Sequence, residues 1–240
     1  MNKVILCEGV TDAILLSYYL EKTAGWKYCK GPKHLSIRET ENNESVNWYC
    51  KAEDYLLICA VGGKDNFRRF FEEKIKAPII TANAFEKLAV VTDRDDREIS
   101  SIEMKMQSTF HEILTTVQNN HWCENTYQDS FGMDKRLEML LVVVPREHQG
   151  ALETVMLESI SENSYDRNIV EKAGIFAAQM RNEAEKYISS DRLQLKAHLG
   201  ITWAVQYPEK VFRLIDEQIR SVSWENSEVL DKCFAVLRKI

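Results

Sequence analysis

The sequence predicts an α/β fold with a mainly parallel four-stranded sheet flanked by helices and a helical C-terminal extension, on three observations. Four short apolar runs, "KVILC" (3–7), "YLLICAV" (55–61), "KLAVVT" (87–92) and "MLLVVVP" (139–145), are continuous rather than alternating, as in strands covered on both faces. Stretches with helical spacing lie between the runs, the order expected of crossovers around a parallel sheet. With only 9 Gly and 4 Pro in 240 residues, little of the chain is suited to linkers or tails.

The first run leads into "TDAILLSYYLEKTAG" (11–25), which sets Ile14, Leu15, Tyr18 and Tyr19 on one face and stops at a glycine. Residues 26–54 are rich in Lys, Asn, Glu and aromatics without a period, and read as an irregular insertion with room for a hairpin through "VNWYC". After the second run, Gly62 and Gly63 make a tight turn with Asp65 as a cap, or a turn that meets substrate, where Lys64 contacts a phosphate. The helix "DNFRRFFEEKI" (65–75) then points Phe67, Phe70, Phe71 and Ile75 to the core. A further helix is predicted from Ile99 to about Asn119.

Beyond residue 150 the pattern turns helical: "GALETVMLESISEN", "IVEKAGIFAAQMRNEAEKYI", "DRLQLKAHLGITWAVQ" and "PEKVFRLIDEQIRS". The expected organisation is an α/β unit over 1–150 with the insertion at 26–54, and a helical extension over 151–240 packed on it.

A net charge of −6 means that the molecule as a whole does not attract phosphate backbones, so any such affinity needs a local basic surface or bound cations. The six cysteines are scattered with no CxxC, and no export segment precedes the first strand, so a reduced, cytoplasmic protein is expected. No apolar run reaches the roughly 18 residues needed to span a bilayer.

The acids carry the chemistry. The third run ends in "VVTDRDDREIS", and alternation along a strand would send Asp93 and Asp95 to the same side of its carboxyl end. Glu8 stands at the same kind of end on the first strand, and carboxyl ends of parallel strands line the ligand crevice of open sheets. Three carboxylates held together repel one another unless a cation sits among them, and an oxygen-only set suits Mg²⁺ or Mn²⁺. Each acid also has a plainer reading. "EG" after a strand is a common turn, Asp12 suits the first turn of a helix, and a DxD at a strand end is often a solvated loop.

"CEGVTD", "AVGGKDNF" and "VVTDRDD", in this order, resemble the TOPRIM domain of topoisomerases, primases and OLD (overcoming lysogenization defect) nucleases, over roughly residues 3–150. The resemblance implies that Glu8, Asp93 and Asp95 hold one or two Mg²⁺ or Mn²⁺ ions, Glu8 being catalytic as well, and that Asp12 faces metal. "PREHQGALETVMLE" resembles the OLD-like branch and short stand-alone TOPRIM proteins, which implies Glu153 for a second metal. The same branch implies a catalytic lysine on a later helix, matched by Lys196, where an ordinary solvated helix lysine is the alternative.

The chain departs from the family where Asp96, Arg97 and Glu98 follow the DxD in place of a glycine, and it has no P-loop, so ATP control would come from a separate chain. The implied activity is a nuclease cutting phosphodiester bonds of DNA or RNA, an effector beside an ATPase in bacterial antiviral defence, with a homodimer compatible and no membrane partner. The rival is a non-catalytic TOPRIM-fold nucleic-acid-binding or regulatory protein. No cofactor beyond the metal is implied.

Overall fold

The computed structural model describes residues 2–210 and 215–240. Strand β1 (Asn2–Cys7) leads into helix α1 (Val10–Ala24), which ends on Gly25 in the left-handed conformation. The region 26–54 contains the two-residue β2 (Lys27–Tyr28) and β3 (Ser45–Lys51), the latter turning directly into β4 (Asp54–Ala60). Its "VNWYC" segment therefore joins the sheet, and the irregular part is shorter than the sequence suggested.

From Lys64 the backbone is helical to Ala82, beginning as a 3-10 turn, passing through α2 (Phe67–Phe70) and a π-helical turn (Phe71–Ile75), and ending in α3 (Lys76–Ala82). The wider turn precedes Pro78, which has no N–H to donate to the preceding turn. Asp65 does not cap this helix; no side-chain cap bond is made there, and its carboxylate pairs with Lys105.

Strand β5 (Lys87–Asp93) is followed by α4 (Ile99–Thr109), about half the expected length. Next come β6 (Trp122–Gln128), not anticipated from sequence, and β7 (Asp134–Val144). The C-terminal part holds α5 (Leu152–Ser161), α6 (Ser164–Glu183), α7 (Asp191–Gln206), α8 (Ile215–Arg220) and α9 (Glu228–Phe234). The helix expected through "PEKVFRLIDEQIRS" crosses residues 211–214, which lie outside the described residues.

Among the described residues the sheet has seven strands, in the order β2-β3-β4-β1-β5-β7-β6. The four strands expected from the apolar runs are its centre and pair in parallel, β4 with β1, β1 with β5 and β5 with β7. The outer ladders, β2 with β3, β3 with β4 and β6 with β7, are antiparallel. The expectation of a mainly parallel four-stranded sheet is thus corrected to a mixed one of seven. β6 escaped detection because it is an edge strand with one wet face: Cys123, Asn125 and Tyr127 are buried while Glu124, Thr126 and Gln128 are exposed.

The continuous apolar runs follow from burial on both faces. Ile5, Cys7, Ala89 and Val91 pack into one apolar layer, with α1, α5, α7 and α9, while Val4, Leu6, Leu88 and Val90 enter the other, with Phe67, Phe70, Phe71 and α4. The first layer joins residues from both sides of position 150, so α5, α7 and α9 share their core with the sheet. That sharing carries α5 and α7 to the carboxyl edge of β1 and β5.

Candidate metal centre

The parallel pairing of β1 with β5 sets Cys7 beside Val91, so the residues just beyond meet at one rim. Glu8 is 1% exposed. Its Oε1 accepts hydrogen bonds from Thr92 Oγ1 at 2.6 Å and from the Asp93 backbone N–H at 2.9 Å. Its Oε2 is buried and has no hydrogen-bond partner. Leaving a buried carboxylate oxygen unbonded is costly unless a cation compensates it.

Asp93 ends β5 and is equally enclosed, its Oδ1 accepting the Leu152 N–H at 2.9 Å. That bond seats the first turn of α5 on the rim, where an acceptor meets a free helix N–H, and brings Glu153 beside the other acids. Asp12, in the first turn of α1, folds back so that its Oδ2 accepts the Gly9 N–H at 3.2 Å. It caps the helix and still faces the cluster. Burial, then the charge of Glu8, with a lesser part from Glu153, pushes the Asp12 carboxyl up to about 7. Burial, followed by Glu8, Asp12 and Glu153, pushes Asp93 up to about 8. Glu8, Asp12, Asp93 and Glu153 therefore lie within electrostatic reach of one another.

Asp95 is arranged differently. The strand stops at Asp93, and Asp95 takes a left-handed backbone with φ +55°, so the alternation that would place both carboxylates side by side no longer applies. Its backbone exchanges two hydrogen bonds with Gly150, of 2.7 and 2.9 Å. Its carboxylate meets Lys64 Nζ at 2.7 Å, and the same ammonium donates to the Asp93 carbonyl at 2.6 Å and stands 3.9 Å from Glu8 Oε1. Lys64 comes from the turn that follows β4, where Gly62 and Gly63 both hold positive φ. An internal ammonium, rather than a lysine reaching out to substrate, is what the folded chain makes of it.

On the open side, α7 lays Arg192 and Lys196 across the cluster. Arg192 Nη2 is 3.6 Å from both Glu8 Oε2 and Asp93 Oδ2, and Lys196 Nζ is 4.0 Å from Glu153 Oε1. Burial pushes the Arg192 guanidinium down, but Asp93, Glu8, Glu153 and Asp95 more than offset this and hold it above its ordinary value. Arg192 was not singled out from sequence. It stands one helical turn before Lys196 on α7, so the two cations share the helix face turned to the acids.

Among the described residues no group of three or more His, Cys, Asp and Glu side chains is arranged so as to hold an ion as it stands. The positive charge within the cluster is supplied by Lys64 and Arg192. The donor set nevertheless fits a hard divalent cation: it consists of carboxylate oxygens, and it includes the buried Glu8 Oε2 without a hydrogen bond. Glu8, Asp93, Asp12 and Glu153 are the residues that would hold such an ion, with Asp95 held aside by Lys64.

The fold and this rim define an α/β protein with a buried acid cluster at the carboxyl edge of its parallel strands. The family described as "Protein of unknown function (DUF3226)" matches residues 2–239, and the chain belongs to it. Among solved structures it is similar to the crystal structure of hypothetical protein PH0156 from Pyrococcus horikoshii OT3. The identity is 15%, 98% of this chain and 99% of that one are covered, and the TM-score is 0.49. No curated protein matches. No described helix is long and apolar enough to cross a membrane.

Proposed function

We propose that the protein is a TOPRIM-type, Mg²⁺- or Mn²⁺-dependent nuclease that hydrolyses phosphodiester bonds of DNA or RNA. The observation that carries this reading is a buried Glu8 Oε2 without a hydrogen bond, at a rim where Glu8, Asp12, Asp93 and Glu153 lie within electrostatic reach of one another. A divalent ion held by these carboxylates supplies charge neutralisation for a phosphodiester and a lowered pKa for an attacking water. The chain's own groups do the rest. Thr92 and the Asp93 N–H hold Glu8 in one orientation, and the Leu152 N–H does the same for Asp93. Lys196, half exposed beside Glu153, is placed to stabilise negative charge on a phosphoryl or leaving oxygen. The resemblance also suggests a cytoplasmic effector controlled by a separate ATPase chain.

The test is incubation with plasmid, single-stranded DNA and tRNA in Mg²⁺ or Mn²⁺, beside the charge-removing, shape-preserving variants Glu8→Gln and Asp93→Asn. Cleavage by the wild type that falls at least about a hundredfold in both variants is expected. Equal cleavage by wild type and variants would move the chemistry elsewhere on the molecule.

A second reading, a non-catalytic nucleic-acid-binding or regulatory protein, is favoured by one observation: Lys64 and Arg192 already balance the acids internally. Retained nucleic-acid binding without cleavage of any of the three substrates, with a partner ATPase added, would select it.

A further inference from the structure

Two cationic side chains flank Glu8, and they are held very differently. Lys64 lies on the Oε1 side with its side chain 10% exposed, making hydrogen bonds of 2.6 and 2.7 Å to the Asp93 carbonyl and Asp95 Oδ2. It is a fixed part of the rim. Arg192 lies on the Oε2 side with its side chain 49% exposed, and both of its contacts to the cluster are 3.6 Å, beyond hydrogen-bonding distance. Glu8 Oε2 accordingly keeps no hydrogen bond although Arg192 is its neighbour.

A guanidinium can make strong paired hydrogen bonds to a carboxylate. Here it balances Glu8 and Asp93 by charge alone, at long range and open to solvent. Such a contact is weakly held, because a half-exposed ion pair without hydrogen bonds gains little in water. The oxygens it faces, Glu8 Oε2 and Asp93 Oδ2, are the ones left unused by the protein: Oε1 of Glu8 and Oδ1 of Asp93 are already committed to Thr92, the Asp93 N–H and the Leu152 N–H.

We infer that Arg192 is an exchangeable stand-in cation: it occupies the charge position of the divalent metal in the metal-free protein and is displaced from Glu8 Oε2 and Asp93 Oδ2 when the metal binds. This rests on the metal-site reading above and adds what that reading lacks, a residue that sets the affinity for the ion. The arginine holds the acids together before loading, and its departure is part of the cost of loading. On release the guanidinium stays tethered to α7 at the mouth of the cluster, beside the place a phosphate must enter.

The test measures cation binding alone, without nucleic acid, by calorimetric titration of Mn²⁺ into the wild type, Arg192→Gln, Arg192→Lys and Asp93→Asn. Arg192→Gln is expected to bind Mn²⁺ at least about fivefold tighter than wild type, because a competing positive charge has gone. Arg192→Lys should stay near wild type and Asp93→Asn should lose the site. Since the arginine is half exposed on a surface helix, circular dichroism and Tm of the glutamine variant should match those of the wild type. Wild-type binding that Asp93→Asn abolishes, with Arg192→Gln no tighter, overturns the stand-in role while sparing the metal site. No Mn²⁺ binding sensitive to Asp93 in either the wild type or Arg192→Gln overturns both.

Discussion

The Asp12 carboxylate accepts the Gly9 N–H and also lies close enough to Glu8 and Glu153 to be raised by their charge. Helix capping and metal binding are therefore both open to it, and two substitutions separate them. Asp12→Asn keeps an acceptor oxygen for Gly9 but removes the charge, so stability is held within about 0.5 kcal/mol while Mn²⁺ affinity falls roughly tenfold. Asp12→Ala loses the acceptor as well and costs about 1 kcal/mol more. Calorimetric titration and urea unfolding read the two effects, and unchanged Mn²⁺ affinity in the asparagine variant would leave Asp12 a cap alone. Glu8 and Asp93 were legible from sequence because each ends an apolar run, and a parallel sheet brings such ends to one rim. Arg192 was not, since an arginine in the first turn of an amphipathic helix resembles any solvated arginine until α7 is folded across that rim.

At the level of elements, the position of Asp95 depends on a contact between two loops. Gly150 holds φ +145° and bonds twice to Asp95. A Cβ at Gly150 would stand 2.6 Å from Thr154 Oγ1 and 3.1 Å from Thr154 Cβ, inside the first turn of α5. Gly150→Ala is thus strained in backbone and in space, and is expected to lower Tm by roughly 3–8 °C. Because the same loop leads to Leu152, whose N–H anchors Asp93, Mn²⁺ binding should weaken as well. A variant that melts and binds like the wild type would show that the loop contact does not position the acids. Element prediction succeeded where burial is two-sided, as in the four central strands. It failed for β6, whose alternation is hidden by the polar Asn125 facing inward; that side chain is buried because it bonds the Thr115 and Thr116 backbone. The alternation expected to pair Asp95 with Asp93 does not hold for a related reason: it was carried two residues past the point where β5 ends.

For the whole molecule, the acid cluster makes stability depend on pH in a direction opposite to the usual carboxylate. Asp12 and Asp93 are pushed up to about 7 and about 8 in the folded chain, whereas the unfolded carboxyls titrate near the ordinary value of 3.8. The folded state therefore binds protons that the unfolded state has already released, and the stability these groups contribute is complete below about pH 4 and lost as pH rises through 7 to 8. Asp54 works the other way. Its hydrogen-bonded partner Lys3 holds its carboxyl low, and its contribution is lost only as pH falls below about 4. The two windows meet near pH 4, so metal-free protein should be most stable near pH 4 and its Tm should fall steadily from there toward pH 8. Asp93→Asn should flatten that drop, having no charge to develop. A divalent ion requires the carboxylates deprotonated and supplies the charge they lack, so Mg²⁺ or Mn²⁺ should raise Tm more at pH 8 than at pH 6. Thermal melts in chelator and in metal across about pH 3 to 8.5 read all three effects together. A Tm that rises toward pH 8 in chelator, with Asp93→Asn indistinguishable from wild type, would mean that the acids carry their charges without strain and that Lys64 and Arg192 are sufficient counter-ions by themselves.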